Sequence, residues 1–197
     1  MPKFVVLDSH VVPGANYQVE KKILEEKGIE CVIGQCKSDQ EILELAGDAD
    51  GIGLIYANMH RDLISKLNRC RVMVRYGVGY DSIDVQAATD HGICVCNLPD
   101  YCQPEVATHA AALLLDLCRK VTVFDRYVRA GNWNENYGYE VHRLSSMTLG
   151  LIGLGHMSRQ FVRYIKPFEM RLLAYDPYAS DETFRENGVE KVTLDQL

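Results

Sequence analysis

Thr148-Leu-Gly-Leu-Ile-Gly153-Leu-Gly155-His156-Met157-Ser158, followed by an amphipathic run and then by Arg171-Leu-Leu-Ala-Tyr-Asp176, decides how this chain is read. The order is an apolar strand, a Gly-x-Gly-x-x-small turn, a helix, a second apolar strand and a carboxylate at its end. That order suits a dinucleotide. Gly153 permits a tight turn out of the strand, and Gly155 carries no Cβ, so a pyrophosphate can approach the backbone. The helix that follows offers unpaired N–H groups and the positive end of its dipole. Its apolar positions, Met157, Phe161, Val162, Ile165 and Phe168, recur at helical spacing and predict one face packed on a sheet. Asp176 stands 21 residues beyond Gly155, where a carboxylate accepts from adenosine ribose hydroxyls and favours NAD over a 2′-phosphorylated cofactor. The plainer reading of Asp176 is a solvated strand end leading into Pro177-Tyr178. Ser158 stands where glycine or alanine is usual, at some expense to close helix–strand packing.

Length and composition allow one large domain or two small ones. The chain has 197 residues, 47% of them hydrophobic and 24% charged, with a net charge of −6. Its basic residues are scattered, so no cationic stripe points to nucleic acid or an anionic membrane surface. No apolar run reaches the length of a membrane span. The start, Met1-Pro-Lys-Phe-Val-Val-Leu-Asp8, reads as a core strand interrupted by Asp8 and not as a signal peptide. Seven cysteines, at 31, 36, 70, 94, 96, 102 and 118, form no Cys-x-x-Cys pair. They read as buried free thiols of a reducing cytoplasm, with no metal site.

Ahead of the glycine turn, strand-like runs (Phe4–Leu7, Cys31–Ile33, Gly53–Tyr56, Val72–Arg75, Ile93–Cys96) alternate with helical stretches. The helices are expected at about Tyr17–Lys27, from a capping box at Ser38-Asp-Gln-Glu41 to Gly47, at Asp62–Leu67, and from Asp84 to Gly92. Such alternation predicts a parallel, doubly wound sheet. Tyr101–Ala130 reads as a helix entered at Pro104. It is apolar on nearly every side from Val106 to Leu117, which predicts burial between layers, domains or subunits. A polar stretch from Gly131 to Ser146 leads into the glycine-turn strand. The division is therefore residues 1–100 and residues 101–197, the second comprising the connecting helix and the first half of a nucleotide domain.

A second glycine cluster, Val74-Arg75-Tyr76-Gly77-Val78-Gly79-Tyr80-Asp81-Ser82-Ile83-Asp84, leaves the fourth strand at the ligand-binding end of such a sheet. Gly77 and Gly79 let consecutive N–H groups converge on a carboxylate. By spacing alone a plain strand-to-helix turn fits at least as well.

Together, Arg75–Asp84, Gly92-Ile-Cys-Val-Cys-Asn97-Leu-Pro99, Glu105-Val-Ala-Thr-His-Ala110, Thr148–Gly155 and Ala174-Tyr-Asp-Pro-Tyr178 resemble the D-isomer-specific 2-hydroxyacid dehydrogenases, over nearly the whole chain. The resemblance implies an α/β protein with a flavodoxin-like substrate domain followed by an NAD-binding Rossmann domain, here incomplete. It implies that Gly77, Val78 and Gly79 bind the carboxylate of a small 2-hydroxy or 2-oxo acid. It also implies that Val106, Gly153, Gly155, His156, Met157 and Asp176 contact NAD. The implied chemistry is hydride transfer between NAD and C2 of the acid. A histidine, a carboxylate and an arginine from later family segments assist it, and no residue of this chain takes those roles. An exposed sheet edge at 148–153 and the helix of Val106 suggest a homodimer or association through that edge. The alternative is a catalytically inactive fragment or an NAD-binding interaction module of the corepressor kind. Two departures from the family pattern stand out: His156 replaces a common arginine, with Arg159 nearby, and Glu169 replaces a common glycine. No histidine has a convincing acid–base setting. His109 reads as packed on the buried helix, and His91 as favouring a helix dipole.

Overall fold

The computed structural model describes residues 1–12, 14–134 and 140–197, and the chain divides into two units, Met1–Tyr101 and Cys102–Leu197. Part of the polar stretch from Gly131 to Ser146 therefore lies outside the described residues.

The first unit is built on five parallel strands, β1 (Lys3–Val6), β2 (Glu30–Ile33), β3 (Gly51–Leu54), β4 (Val72–Arg75) and β5 (Cys94–Cys96), in the order β2-β1-β3-β4-β5. That is the flavodoxin-like order, whose direction of growth reverses between β1 and β3; ligands collect at the carboxyl ends of strands at such a reversal. Between the strands run α1 (Gln18–Glu26), α2 (Asp39–Ala46), α3 (Arg61–Ile64) and α4 (Val85–Asp90). β3 is buried along its whole length, as a central strand covered on both faces must be. Its two glycines have a steric reason. A Cβ on Gly51 would come within 2.7 Å of the Phe4 ring, and one on Gly53 within 2.8 Å of the Tyr76 hydroxyl. The core gathers Val5, Leu7, Ile52, Leu54, Met59, Leu63, Ile64 and Met73, none more than 1% exposed. Each such side chain contributes about 1.5–3 kcal/mol of hydrophobic stabilisation.

The caps follow the sequence with one shift. Asp84 Oδ1 accepts from the Ala87 amide at 2.7 Å and starts α4. Ser38 Oγ accepts from the Glu41 amide at 3.3 Å, but Glu41 reaches back to the Lys37 amide, at 2.8 Å, one residue earlier than a capping box requires. The helix expected over Asp62–Leu67 closes after a single turn, Arg61–Ile64.

The second unit starts with α5 (Gln103–Arg119) and α6 (Val121–Arg129). These correct the single helix expected over Tyr101–Ala130. Lys120 adopts a left-handed conformation, φ 58°, and separates them. Asp116 pins the break: its Oδ1 accepts from the Thr122 amide at 2.7 Å and its Oδ2 from the Thr122 hydroxyl at 2.8 Å. Burial of Val106–Leu117 is not found within the described chain. Only Ala107 and Cys118 of α5 are buried in the described chain, whereas Val106, Leu113 and Leu117 are 47%, 54% and 67% exposed.

Three parallel strands follow, β6 (Thr148–Ile152), β7 (Arg171–Tyr175) and β8 (Glu190–Lys191), in the order β6-β7-β8, with α7 (His156–Ile165) and α8 (Asp181–Asn187) between them. Of the apolar stripe expected on α7, Phe161, Val162 and Ile165 are buried with Leu154, Leu172 and Ala174. Phe168 lies past the helix end and is 39% exposed. Glu169 has φ 60°, so a side chain occupies a left-handed position. Among the described residues β6 pairs with β7 alone, and Ile152 on it is 77% exposed.

Candidate functional site

The parallel register of β6 and β7 places Ile152 opposite Tyr175, so the residues just beyond each strand, Gly153 and Asp176, emerge side by side. The Gly153 amide donates to the Tyr175 carbonyl at 2.8 Å. Gly153 has φ 89°, the left-handed turn that glycine tolerates without steric strain. The chain then enters α7 with Gly155 as its N-cap, at φ −72° and ψ −169°. Any residue adopts that conformation, and a Cβ on Gly155 would meet nothing within 4 Å. Neither backbone strain nor packing thus requires the glycine, and the open space beside it could admit a group such as a pyrophosphate. Among the described residues the amides of His156, Met157 and Ser158 have no acceptor, because the first helical bond runs from the Arg159 amide to the Gly155 carbonyl. Three unpaired donors at the positive end of a helix form an anion seat.

Asp176 faces this turn. Its Oδ2 accepts from the Leu154 amide at 2.6 Å, and its Oδ1 from the amides of Tyr178 at 2.8 Å and Ala179 at 3.0 Å. The Leu154 amide, then the Tyr178 amide, hold this carboxyl below its ordinary range, so it is ionised throughout neutral pH. A carboxylate has about four acceptor positions, and three are filled here. The remaining one, on Oδ2, is free for a hydroxyl. Arg159 Nη1 donates to the Leu154 carbonyl at 3.3 Å, which brings a guanidinium to the turn. His156 is exposed and Met157 half-buried. Val106 stands in the first turn of α5 with its side chain largely exposed, whereas its neighbour Ala107 joins the buried cluster that contains Leu154.

In the first unit the loop after β4 is tied down by its carbonyls. The Gly77 carbonyl accepts from the Leu98 amide at 3.0 Å, and the Val78 carbonyl from Asn97 Nδ2 at 2.7 Å. The Gly77 amide turns inward to the Arg75 carbonyl at 2.8 Å. The amides of Val78 and Gly79 have no acceptor among the described residues. Carbonyls held back and amides left open are what an anion requires. Of the three amides expected to converge, two are therefore available.

Two further groups escaped the sequence reading. Asp8 is a carboxylate only 2% exposed, the sole buried polar or charged side chain among the described residues. Its Oδ1 accepts from the Ile55 amide at 2.8 Å, and its Oδ2 from the amides of Tyr56 at 2.6 Å and Ala57 at 2.8 Å. It thereby ties the end of β1 to the loop after β3. Arg75, at the end of β4, has a buried Nε with no hydrogen-bond partner. Leaving a charged donor so placed costs about 1–3 kcal/mol or more. The interruption of an apolar strand by Asp8 was a visible signal; nothing in the sequence pointed to the Arg75 conformation.

The histidines correct one expectation. His109 is exposed, not packed. His91 closes α4 with Nδ1 2.8 Å from the Ala87 carbonyl, as a dipole-favouring residue would. His60 lies 2.8 Å from Asp39, but both side chains are exposed, 40% and 57%. The cysteines are free: Cys31, Cys36, Cys70 and Cys118 are buried, Cys102 is intermediate, and Cys94 and Cys96 are exposed, against the expectation of burial. Among the described residues no group of three or more His, Cys, Asp or Glu is placed to hold a metal ion, and no helix is long and apolar enough to cross a membrane.

Comparison with known proteins agrees with this geometry. The family profile "D-isomer specific 2-hydroxyacid dehydrogenase, catalytic domain" matches residues 5–195. The D-3-phosphoglycerate dehydrogenase of Methanocaldococcus jannaschii is 38% identical over 173 residues, covering 87% of this chain and 32% of that protein. The glyoxylate reductase of Korarchaeum cryptofilum is 35% identical over 167 residues, 81% of this chain and 49% of that protein. The chain thus spans a third to a half of the length of these curated relatives. Among solved structures, the NAD-dependent formate dehydrogenase of Staphylococcus aureus in complex with NAD superposes with a TM-score of 0.77 at 28% identity, over 99% of this chain and 61% of that one. With a parallel flavodoxin-order sheet, a glycine turn locked to an acid at the neighbouring strand end, and a profile match over nearly its full length, the chain belongs to the D-isomer-specific 2-hydroxyacid dehydrogenase family.

Proposed function

We propose that this chain seats NAD on its second unit and the carboxylate of a 2-hydroxy or 2-oxo acid on its first, serving hydride transfer between the two. The observation that carries the reading is Gly155, a glycine with ordinary backbone angles and empty space at its Cβ, beside three open amides and the ionised Asp176. NAD, when bound, accepts or donates a hydride at its nicotinamide. The protein's own part is to hold and to select. The amides of His156, Met157 and Ser158, with the dipole of α7 behind them, balance pyrophosphate charge. The free position on Asp176 Oδ2 accepts from a ribose hydroxyl, and the same negative charge repels a 2′-phosphate, which favours NAD. Arg159 adds positive charge at the turn. Val106 and Met157 supply apolar contact. In the first unit the amides of Val78 and Gly79 orient the acid through its carboxylate, with Gly77 shaping the loop.

Titration calorimetry with NADH and with NADPH tests the cofactor half. NADH binding at micromolar to low millimolar concentration, at least tenfold tighter than NADPH, is the expected result; equal affinity for the two removes the role given to Asp176. NADH oxidation with glyoxylate, hydroxypyruvate and pyruvate then reports whether the chain as given completes the reaction.

A further inference from the structure

α7 carries Arg159 and Arg163 one turn apart, and Lys166 follows one turn later, just past the helix end. All three line one cavity of about 730 Å³, opposite Thr183, Glu186 and Asn187 of α8. Gln103 and Gln160 add side-chain amides to its wall. Arg159 is half-buried and spends one donor on the Leu154 carbonyl. Among the described residues neither Arg163 nor Lys166 has a hydrogen bond or an ion pair. This is not how the chain treats its other arginines: Arg61, Arg69, Arg129, Arg171 and Arg185 each meet a carboxylate at 3.0 Å or less. Glu186 lines the same cavity and pairs with none of the three cations. The Lys166 ammonium reaches across the groove instead. A Cβ on Gly188, the residue that closes α8 at φ 64°, would come within 3.0 Å of Nζ. The negative end of the α8 dipole favours an ammonium there.

The arrangement works against the stability of α7. Like charges one turn apart repel, and Arg159 stands near the positive end of the helix dipole. A chain of net charge −6 nonetheless gathers three cations on one side of a concave groove and leaves two of them unmatched. An anion bound in the groove removes that repulsion. From Arg159 to Lys166 the helix rises about 10 Å, too far for one orthophosphate to meet all three and within reach of a chain of phosphates. A nucleic-acid backbone calls for a longer basic stripe than this groove offers. We propose that the groove between α7 and α8 is a second anion site for a small molecule carrying two or more linked phosphates. It is separate from the dinucleotide seat: Arg163 and Lys166 lie beyond the first turn of α7, whose amides form that seat. The inference does not depend on NAD binding.

The test is titration of the whole chain with sodium triphosphate, orthophosphate and ATP, followed by ¹⁵N–¹H NMR without NADH, at about 0.15 M ionic strength so that long-range attraction between exposed charges is screened. Triphosphate should bind at least tenfold more tightly than orthophosphate and should shift the Arg163 Nε–H signal with the Gln103 and Gln160 side-chain amides. ATP binding as tightly as triphosphate, or more so, identifies a nucleotide as the ligand; weaker binding identifies the free phosphate chain. The double substitution Arg163→Gln, Lys166→Gln should cost tenfold or more in triphosphate affinity, with the remaining amide spectrum unchanged because both side chains are exposed. Lys166→Arg alone should keep the affinity. Added NADH should leave triphosphate affinity within about threefold. Triphosphate that shifts only the amides of His156, Met157 and Ser158 and is displaced by NADH occupies the dinucleotide seat and overturns the inference. So does an affinity that survives the double substitution, or a spectrum unmoved by millimolar triphosphate. The triphosphate titration is read without NADH, so failure of the NAD reading leaves this test standing.

Discussion

Gly153 and Gly155 stand two residues apart in one turn, and the structure assigns them opposite reasons for lacking a side chain. Gly153 sits at φ 89°, so alanine there meets the left-handed penalty of about 1–2 kcal/mol although its Cβ has no neighbour within 4 Å. Gly155 sits at φ −72°, again with nothing within 4 Å. Alanine at 155 removes freedom from the unfolded chain, worth about 0.4–1 kcal/mol in favour of folding. It also replaces a tolerated N-cap by a poor one, at about 0.5 kcal/mol or somewhat more. The two nearly cancel, so Gly155→Ala should leave stability within roughly 0.5 kcal/mol of wild type. The same methyl projects where a pyrophosphate would lie, so NADH affinity should fall by tenfold or more. Urea denaturation and NADH calorimetry on both variants decide the matter. The expected pattern is a destabilised Gly153→Ala beside a stable Gly155→Ala that no longer holds NADH. If Gly155→Ala binds NADH as wild type does, or unfolds more easily by over 1 kcal/mol, the external reason for this glycine is wrong.

Four further outcomes follow from the same structure. Glu169→Gly should stabilise the chain by about 1 kcal/mol in denaturant titration, because φ 60° strains a side chain and not a glycine. Leu54→Ala, at a side chain with no exposure in the buried strand β3, should destabilise by about 2–5 kcal/mol. Burial pushes the Cys70 thiol up to about 11, so at pH 8 it should resist thiol reagents until the chain unfolds, while the exposed Cys94 and Cys96 react at once; mass spectrometry of labelled peptides reads this. Because the folded state lowers the Asp176 pKa, the stabilisation from its amide bonds is complete above the unfolded value of about 3.9 and is lost as pH falls through the lower folded value. A ¹³C titration should therefore place its midpoint below the ordinary aspartate range.

The parallel sheets were legible because buried strands write themselves as short apolar runs, and because Gly28, Gly92 and Asp84 punctuate the helices where they do in the structure. The glycine turn and its acid were legible because motif spacing and strand register express one constraint: Ile152 opposite Tyr175 makes Gly153 and Asp176 neighbours. The break at Lys120 was not, since a lysine in a left-handed position gives no local sign and its support comes from Asp116 reaching forward to Thr122. The cover of α5 was not legible: Val106, Leu113 and Leu117 are exposed in this chain, and an apolar helix reports that it needs a cover without naming the cover. Asp8 was visible as a carboxylate interrupting an apolar strand, but its partners, like the contact of Arg75 with Tyr56, join separate strand ends and were beyond reach.

The most direct measurement is a ¹⁵N–¹H spectrum of the labelled chain during titration with NADH. The account predicts shifts that saturate together at the amides of His156, Met157 and Ser158, with changes at Leu154 and Ala179, two of the three donors to Asp176. A spectrum unmoved at these five amides with NADH in the millimolar range would contradict it.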